Sequence, residues 1–181
     1  MRMETDDNAL ALAAGRGDRA AFAALIDRHY DRIFRFAWRL TGAADQAEDL
    51  AQDVAILLAK RIRQFRGDAK FTTWLYQVTL NAARDAGRRT TTRAKAMDRY
   101  AEDLDRTQAE DRHKADGAAW LQSAMATLND DWRATAALIV GEGLTQAEAA
   151  AALDVPEGTV AWRMSEVKKA LTALAAEEAQ I

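Results

Sequence analysis

Six side chains between residues 70 and 88 share one face of a helix and carry groups able to hold a nucleic acid. Lys70, Thr73, Gln77, Asn81, Arg84 and Arg88 fall at offsets 0, 3, 7, 11, 14 and 18. Cations neutralise phosphates, while Asn and Gln present paired donors and acceptors to base edges. Phe71, Trp74, Leu75, Val78 and Ala82 occupy the opposite face and are expected in a core. Residues 60–93 hold nine Lys/Arg against only Asp68 and Asp85. A solvated helix face has the same pattern, and charge alone leaves the two readings level.

A second group is acidic. Asp49, Gln52, Asp53 and Ile56 lie together on a helix face opposite the apolar stripe Leu50, Ala51, Val54, Leu58 and Ile62. A carboxylate pair at i, i+4 can bind a hard cation, but no second acidic segment supplies a full oxygen cage, so no metal is expected. An isoleucine set among acids suits a protein-docking face, and a merely solvated face fits the spacing equally well. A third group lies near the C-terminus, where Trp162, Ser165, Glu166 and Lys169 point away from the core, with Thr159 and Arg163 at its edge.

Catalysis is not expected. His29 and His113 are the only histidines, and no nucleophile–base pair or phosphate-cradling glycine loop is present. The absence of cysteine excludes disulfides and thiolate metal sites. No cofactor is implied. No apolar stretch approaches the ~20 residues that span a bilayer, and Met1 to Leu12 carries acids where a secretory leader has basic and then apolar residues. A cytoplasmic protein without membrane insertion is the expectation.

The elements positioning these groups read as helices throughout. The 181 residues are Ala-rich with one proline, which favours an all-α fold. A short helix from Asp6 or Asp7 should stop at the Gly15–Gly17 break. Asp18 should cap a long helix ending at Gly42, with Phe22, Leu25, Ile26, Tyr30, Ile33, Phe34, Ala37 and Leu40 as its stripe and Trp38 opposite, packed under the first helix or against a partner. A third helix should begin near Asp45, with Glu48 completing a capping box. The segment 64–70 reads as a loop and a fourth helix as Lys70 to Arg88. Thr145-Gln-Ala-Glu148 is a capping box opening a short helix, and Pro156 marks the start of the last one. These two helices and their short turn make a helix-turn-helix.

The net charge of −3 is unevenly spread. Residues 1–95 hold 17 Lys/Arg and 12 Asp/Glu, whereas 117–181 hold 4 and 9. Two small helical domains with different partners are therefore expected, at 1–93 and 117–181, with 94–116 as a charged linker.

Three blocks together resemble a known family. Ala47-Glu-Asp-Leu-Ala-Gln-Asp-Val54, Phe65-Arg-Gly-Asp-Ala-Lys-Phe-Thr-Thr-Trp-Leu-Tyr76, and Asn81 with Arg88-Arg89 resemble region 2 of the extracytoplasmic-function sigma factors of the sigma-70 family. Leu144-Thr-Gln-Ala-Glu-Ala-Ala-Ala151 and Val155-Pro-Glu-Gly-Thr-Val160, with Arg163, resemble region 4. The resemblance implies a transcription initiation factor that brings core RNA polymerase to promoter DNA. It implies docking of Asp49, Leu50, Gln52 and Asp53 on the β′ clamp helices, with Ile56 beside them, and contact of the second domain with the β flap. It implies −10 DNA contacts from Phe65, Arg66, Gly67, Asp68, Lys70, Thr73, Gln77, Asn81, Arg84 and Arg88. It also implies −35 contacts from Thr145, Gln146, Thr159, Trp162, Arg163, Ser165 and Lys169, and an anti-sigma factor as a further partner.

The last helix departs from the family pattern. Ala161 and Trp162 follow Val160 where relatives often carry basic residues. A stand-alone helix-turn-helix regulator, or a mimic that sequesters an anti-sigma protein, are the rival readings.

Overall fold

The computed structural model describes residues 6–97 and 117–178. Its helices are α1 (Asp7–Gly15), α2 (Arg19–Thr41), α3 (Ala44–Arg61), α4 (Phe71–Met97), α5 (Gly117–Thr127), α6 (Asp130–Ala136), α7 (Gln146–Leu153) and α8 (Glu157–Glu178). A single 3-10 turn, Ile62–Gln64, follows α3, and a π-helical turn, Ala137–Gly141, extends α6. Among the described residues there is no strand. Helix α4 runs to Met97, so the first four residues of the expected linker are helical; the rest of it, 98–116, lies outside the described residues.

Local signals account for several helix ends. The Asp18 carboxylate accepts the N–H groups of Ala20 and Ala21 at 2.9 and 3.0 Å, satisfying two donors that α2 leaves orphaned. Gly42 ends α2 at φ +80°, where its N–H reaches the Trp38 carbonyl and an L side chain would be strained. The capping box of α7 is complete: Thr145 Oγ1 accepts from Glu148 N, and Glu148 Oε2 accepts from Thr145 N. The box expected at Asp45 and Glu48 does not form. Ala43 precedes α3 without a side-chain cap, and Glu48 instead accepts hydrogen bonds from Tyr30 Oη at 2.9 Å and Gln52 Nε2 at 3.1 Å. Tertiary and i, i+4 partners have claimed the carboxylate.

Helices α1 to α4 close over a first core of Leu25, Ile33, Leu50, Val54, Leu58, Ile62, Phe65, Phe71, Leu75 and Val78. Phe65 meets Phe71 and Trp74 with ring centroids 5.8 and 5.6 Å apart, a tilted and edge-on cluster of the kind aromatic quadrupoles favour. Asn8 fixes the neighbouring loop, accepting from Phe71 N at 2.7 Å and donating to the Ala69 carbonyl at 3.1 Å.

A second core gathers Met125, Leu128, Leu138, Leu153, Val160 and Val167 with buried alanines of α6, the π turn and α7. It also contains Phe36, Tyr76 and Leu80 from α2 and α4. The two domains therefore share a packed seam. Phe36 falls outside the sequence-derived stripe of α2, yet it is fully buried, edge-on to Tyr76 at 4.9 Å. Trp38 does not pack under α1; it is 40% exposed, and its carbonyl accepts Gln122 Nε2 at 3.1 Å.

Candidate polymerase-docking and nucleic-acid interfaces

On α3 the apolar stripe faces the first core and leaves Asp49, Gln52 and Asp53 exposed beside Ile56, itself 53% exposed. Leu50 is not on that surface: at 4% exposure it belongs to the core, since α3 must bury this position to pack on α2. The outward face combines two carboxylates one turn apart with an apolar side chain, as a docking surface requires. No cluster of potential metal ligands occurs among the described residues.

The loop 64–70 and the start of α4 carry the basic group. Arg66, Asp68 and Lys70 are exposed. Phe65 is 6% exposed and anchors the loop from inside, so its aromatic ring is a core side chain and not a surface platform. On α4, Asn81 and Arg88 face solvent, and Gln77 and Arg84 are half-buried. Thr73 is buried at 9% exposure, because the polar stripe read from spacing passes into the region where α7 packs on α4.

In the helix-turn-helix, Thr145, Gln146, Ser165 and Lys169 are exposed and Thr159 is half-buried. Trp162 is 56% exposed and meets Trp132 edge-on at 6.2 Å. Together with Asn129, Asp130, Asp131 and Arg163 these rings line an open hollow of about 460 Å³. Arg163 is withdrawn from the surface; its side chain is 11% exposed and donates to Asp131 Oδ2 at 2.8 Å. Lys169 is paired with Glu166 at 2.7 Å.

Polar contacts reinforce the seam between the domains. Glu142, 7% exposed, accepts from Tyr76 Oη at 2.7 Å and from the Arg39 guanidinium. Burial, then the hydrogen bond to Glu142, push the Tyr76 phenol far above its ordinary range. Lys70 Nζ lies 2.6 Å from Glu148, which holds that carboxyl well down, at about 2, with help from the Thr145 N–H. Arg84 lies 3.2 Å from Asp131, the same carboxylate that holds Arg163. Arg133 donates to the carbonyls of Met125, Ala126 and Leu128 at the end of α5 and to that of Leu40 on α2. Neither Glu142 nor Arg133 carried a sequence signal, because their partners come from helices distant in the chain.

Residues 25–93 match the family Sigma-70 region 2, a span containing both the acidic face of α3 and the basic face of α4. The chain is 30% identical over 174 residues to the ECF RNA polymerase sigma factor SigM of Mycobacterium tuberculosis, covering 96% of this chain and 86% of that protein. This chain belongs to the ECF sigma factors. It is also 35% identical over 158 residues to the ECF sigma factor SigE of Mycolicibacterium smegmatis, covering 82% of this chain and 60% of that relative's length. Its fold is similar to that of the sigma factor RpoE from Bartonella quintana, solved in complex with the anti-sigma factor NepR. The TM-score is 0.71 at 22% identity, over 86% of this chain and 96% of that one.

Within this sigma factor, the region 2 surfaces use two elements. The acids of α3 and the cations of the 64–70 loop and α4 share one core, so each face is held rigidly relative to the other. No described helix is long and apolar enough to cross a membrane.

Proposed function

We propose that this sigma factor acts in the cytoplasm as a non-catalytic initiation factor that directs core RNA polymerase to a specific set of promoters. The observation that carries this reading is the region 2 match, which holds an exposed acid-and-isoleucine face and an exposed basic loop and helix on one rigid core. Asp49, Gln52, Asp53 and Ile56 dock on the β′ clamp helices. Arg66, Asp68, Lys70, Gln77, Asn81, Arg84 and Arg88 contact the −10 element, with Gly67 shaping the loop. Phe65, Leu50 and Thr73 support these surfaces from below instead of touching partners.

The second domain contacts the β flap and reads the −35 element through Thr145, Gln146, Thr159, Trp162, Ser165 and Lys169 on and before α8, the helix placed for the major groove. Arg163 joins them only after Asp131 releases it. An anti-sigma factor of the kind bound to the Bartonella quintana relative is a further partner. Transcription by purified core polymerase on genomic fragments, with 5′ ends mapped, tests the whole reading. Discrete start sites that depend on this chain are expected; core polymerase that initiates identically with and without it overturns the proposal.

A further inference from the structure

Asn8 lies outside residues 25–93, the span that matches Sigma-70 region 2, yet its side chain is committed to a loop within that region. Its Oδ1 accepts the Phe71 N–H at 2.7 Å, and its Nδ2 donates to the Ala69 carbonyl at 3.1 Å. One amide therefore grips the backbone on both sides of Lys70. The sequence of the loop explains why such a grip is needed. Lys70 stands just before α4, and its carbonyl accepts from Thr73 N and Trp74 N at 3.0 and 3.3 Å. A lysine has no side-chain acceptor, so it cannot satisfy the N–H groups that the first turn of α4 leaves orphaned. Asn8 supplies that acceptor from another helix, 63 positions away from Phe71 in the chain.

The rest of α1 follows the same loop. At its C-terminal end, a Cβ on Gly15 would lie 3.2 Å from the Ile62 carbonyl, so the helix approaches closely where the chain enters the loop. Leu12, one turn beyond Asn8 on the same face, has a methyl 3.6 Å from where a Gly67 Cβ would stand. Gly67 itself sits at φ +82°, a conformation that favours glycine. Asp7, beside Asn8, lies 2.9 Å from His29 Nε2 and also binds Arg28, which ties this turn of α1 to α2. Gly15 at Ile62, Leu12 at Gly67 and Asn8 at Ala69 and Phe71 thus track the loop from entry to exit.

We infer that Asn8 is a positioning residue for base selection: through this amide, α1 fixes the shape of the 64–70 loop without itself reaching DNA. The inference rests on the reading of that loop as part of the −10 surface. Attraction to phosphates depends on charge and survives a change of loop shape, whereas base readout needs donors and acceptors held in place. Arg66, Asp68 and Lys70 are exposed on this loop, and Asn8 holds the backbone that carries them. A loop ordered in advance also loses less freedom when a base arrives. Loss of the clamp lowers selectivity among bases more than it lowers affinity for DNA as such.

The test uses the full chain with core polymerase on a promoter pool randomised through the −10 element, with transcripts counted by sequencing. Asn8→Ala removes both hydrogen bonds. Asn8→Asp keeps an acceptor for Phe71 N but sets a carboxylate oxygen against the Ala69 carbonyl, which separates helix capping from the loop clamp. At one or more −10 positions, both variants should lower the transcript ratio between best and worst base by about fivefold or more. Total yield from the pool should fall by less than that ratio. The added charge of N8D weakens binding to every sequence alike, and a ratio is insensitive to it. Should N8A melt too low to assay, N8D decides alone. Wild-type ratios in N8D, or in folded N8A, overturn the inference and leave Asn8 a helix cap only. A wild type that initiates without any −10 preference overturns the reading of the loop itself, and the inference with it.

Discussion

The two cores differ in where their side chains come from. In the first, helices α1 to α4 bury Leu25, Ile33, Leu58, Phe65, Phe71 and Leu75 among themselves, and the domain closes on its own large side chains. In the second, the domain's own buried side chains include no aromatic ring, and Phe36, Tyr76 and Leu80 arrive from the other domain. A domain of roughly 60 residues has little interior for its surface, and no buried ring of its own to fill it. Docking on α2 and α4 supplies what is missing. The same dependence brings Glu148 and Asp131 onto Lys70 and Arg84, so packing and ion pairing share one seam.

The largest expected effect separates the cores directly. Phe36→Ala removes a fully buried ring from the seam and should cost about 3–5 kcal/mol in urea unfolding, while lengthening the inter-domain distance. Leu25→Ala should cost about 2–5 kcal/mol yet leave that distance unchanged, since its neighbours all lie in the first core. Equal effects of both on the distance would erase the distinction.

Next in size is a functional loss without a folding change. Replacing Asp49 and Asp53 with lysine should abolish measurable binding to core polymerase. Melting should stay within about 0.5 kcal/mol of wild type because both side chains are exposed. Normal binding of the double variant would remove α3 from the docking surface.

A smaller effect concerns the exposed cations of the first domain. Arg66→Ala with Arg88→Ala should lower the slope of log affinity against log salt by roughly 1.4 for single-stranded −10 DNA, about 0.7 for each phosphate that is no longer neutralised. An unchanged slope would mean that this face does not touch phosphates.

The smallest effect is the pH response of the first core. His29 is 3% exposed, within 2.9 Å of Asp7 and against the ring of Phe71. Burial lowers its pKa below the ordinary 6.5; Asp7 opposes this through its charge and hydrogen bond, while Arg32 and Arg28 add to the lowering. The folded state thus prefers neutral imidazole. Its contribution is complete above pH 6.5 and is lost as pH falls through 6.5 towards the lower folded value, at no more than about 1.4 kcal/mol per pH unit. His29→Gln should flatten melting temperature against pH between 7 and 5. Glu148 behaves differently: its carboxyl stays ionised until pH falls from 4.5 towards about 2, so the Lys70 ion pair persists throughout that window.

Features set by near neighbours in the chain were legible without a fold. The Asp18 cap, the Gly42 terminus, the Thr145–Glu148 box and the buried stripe of α3 each depend on residues within about two turns, and each followed from spacing and side-chain chemistry. Helical spacing located the acidic and basic faces for the same reason, and the family resemblance, carried by local motifs, supplied their expected roles. What failed were assignments that needed the identity of a distant neighbour. Periodicity shows that a helix has an apolar face but not which helix covers it, so Phe36 was missed and Thr73 was placed on the surface. The Glu48 carboxylate went to Tyr30 and Gln52 because those donors were nearer than an N-cap, and Arg163 turned inward because Asp131 stood beside it. Sequence by itself determined the helices, their caps and the chemistry each face offers. Only the tertiary structure decided which faces meet, because that depends on shape and charge matched between elements that the chain keeps far apart.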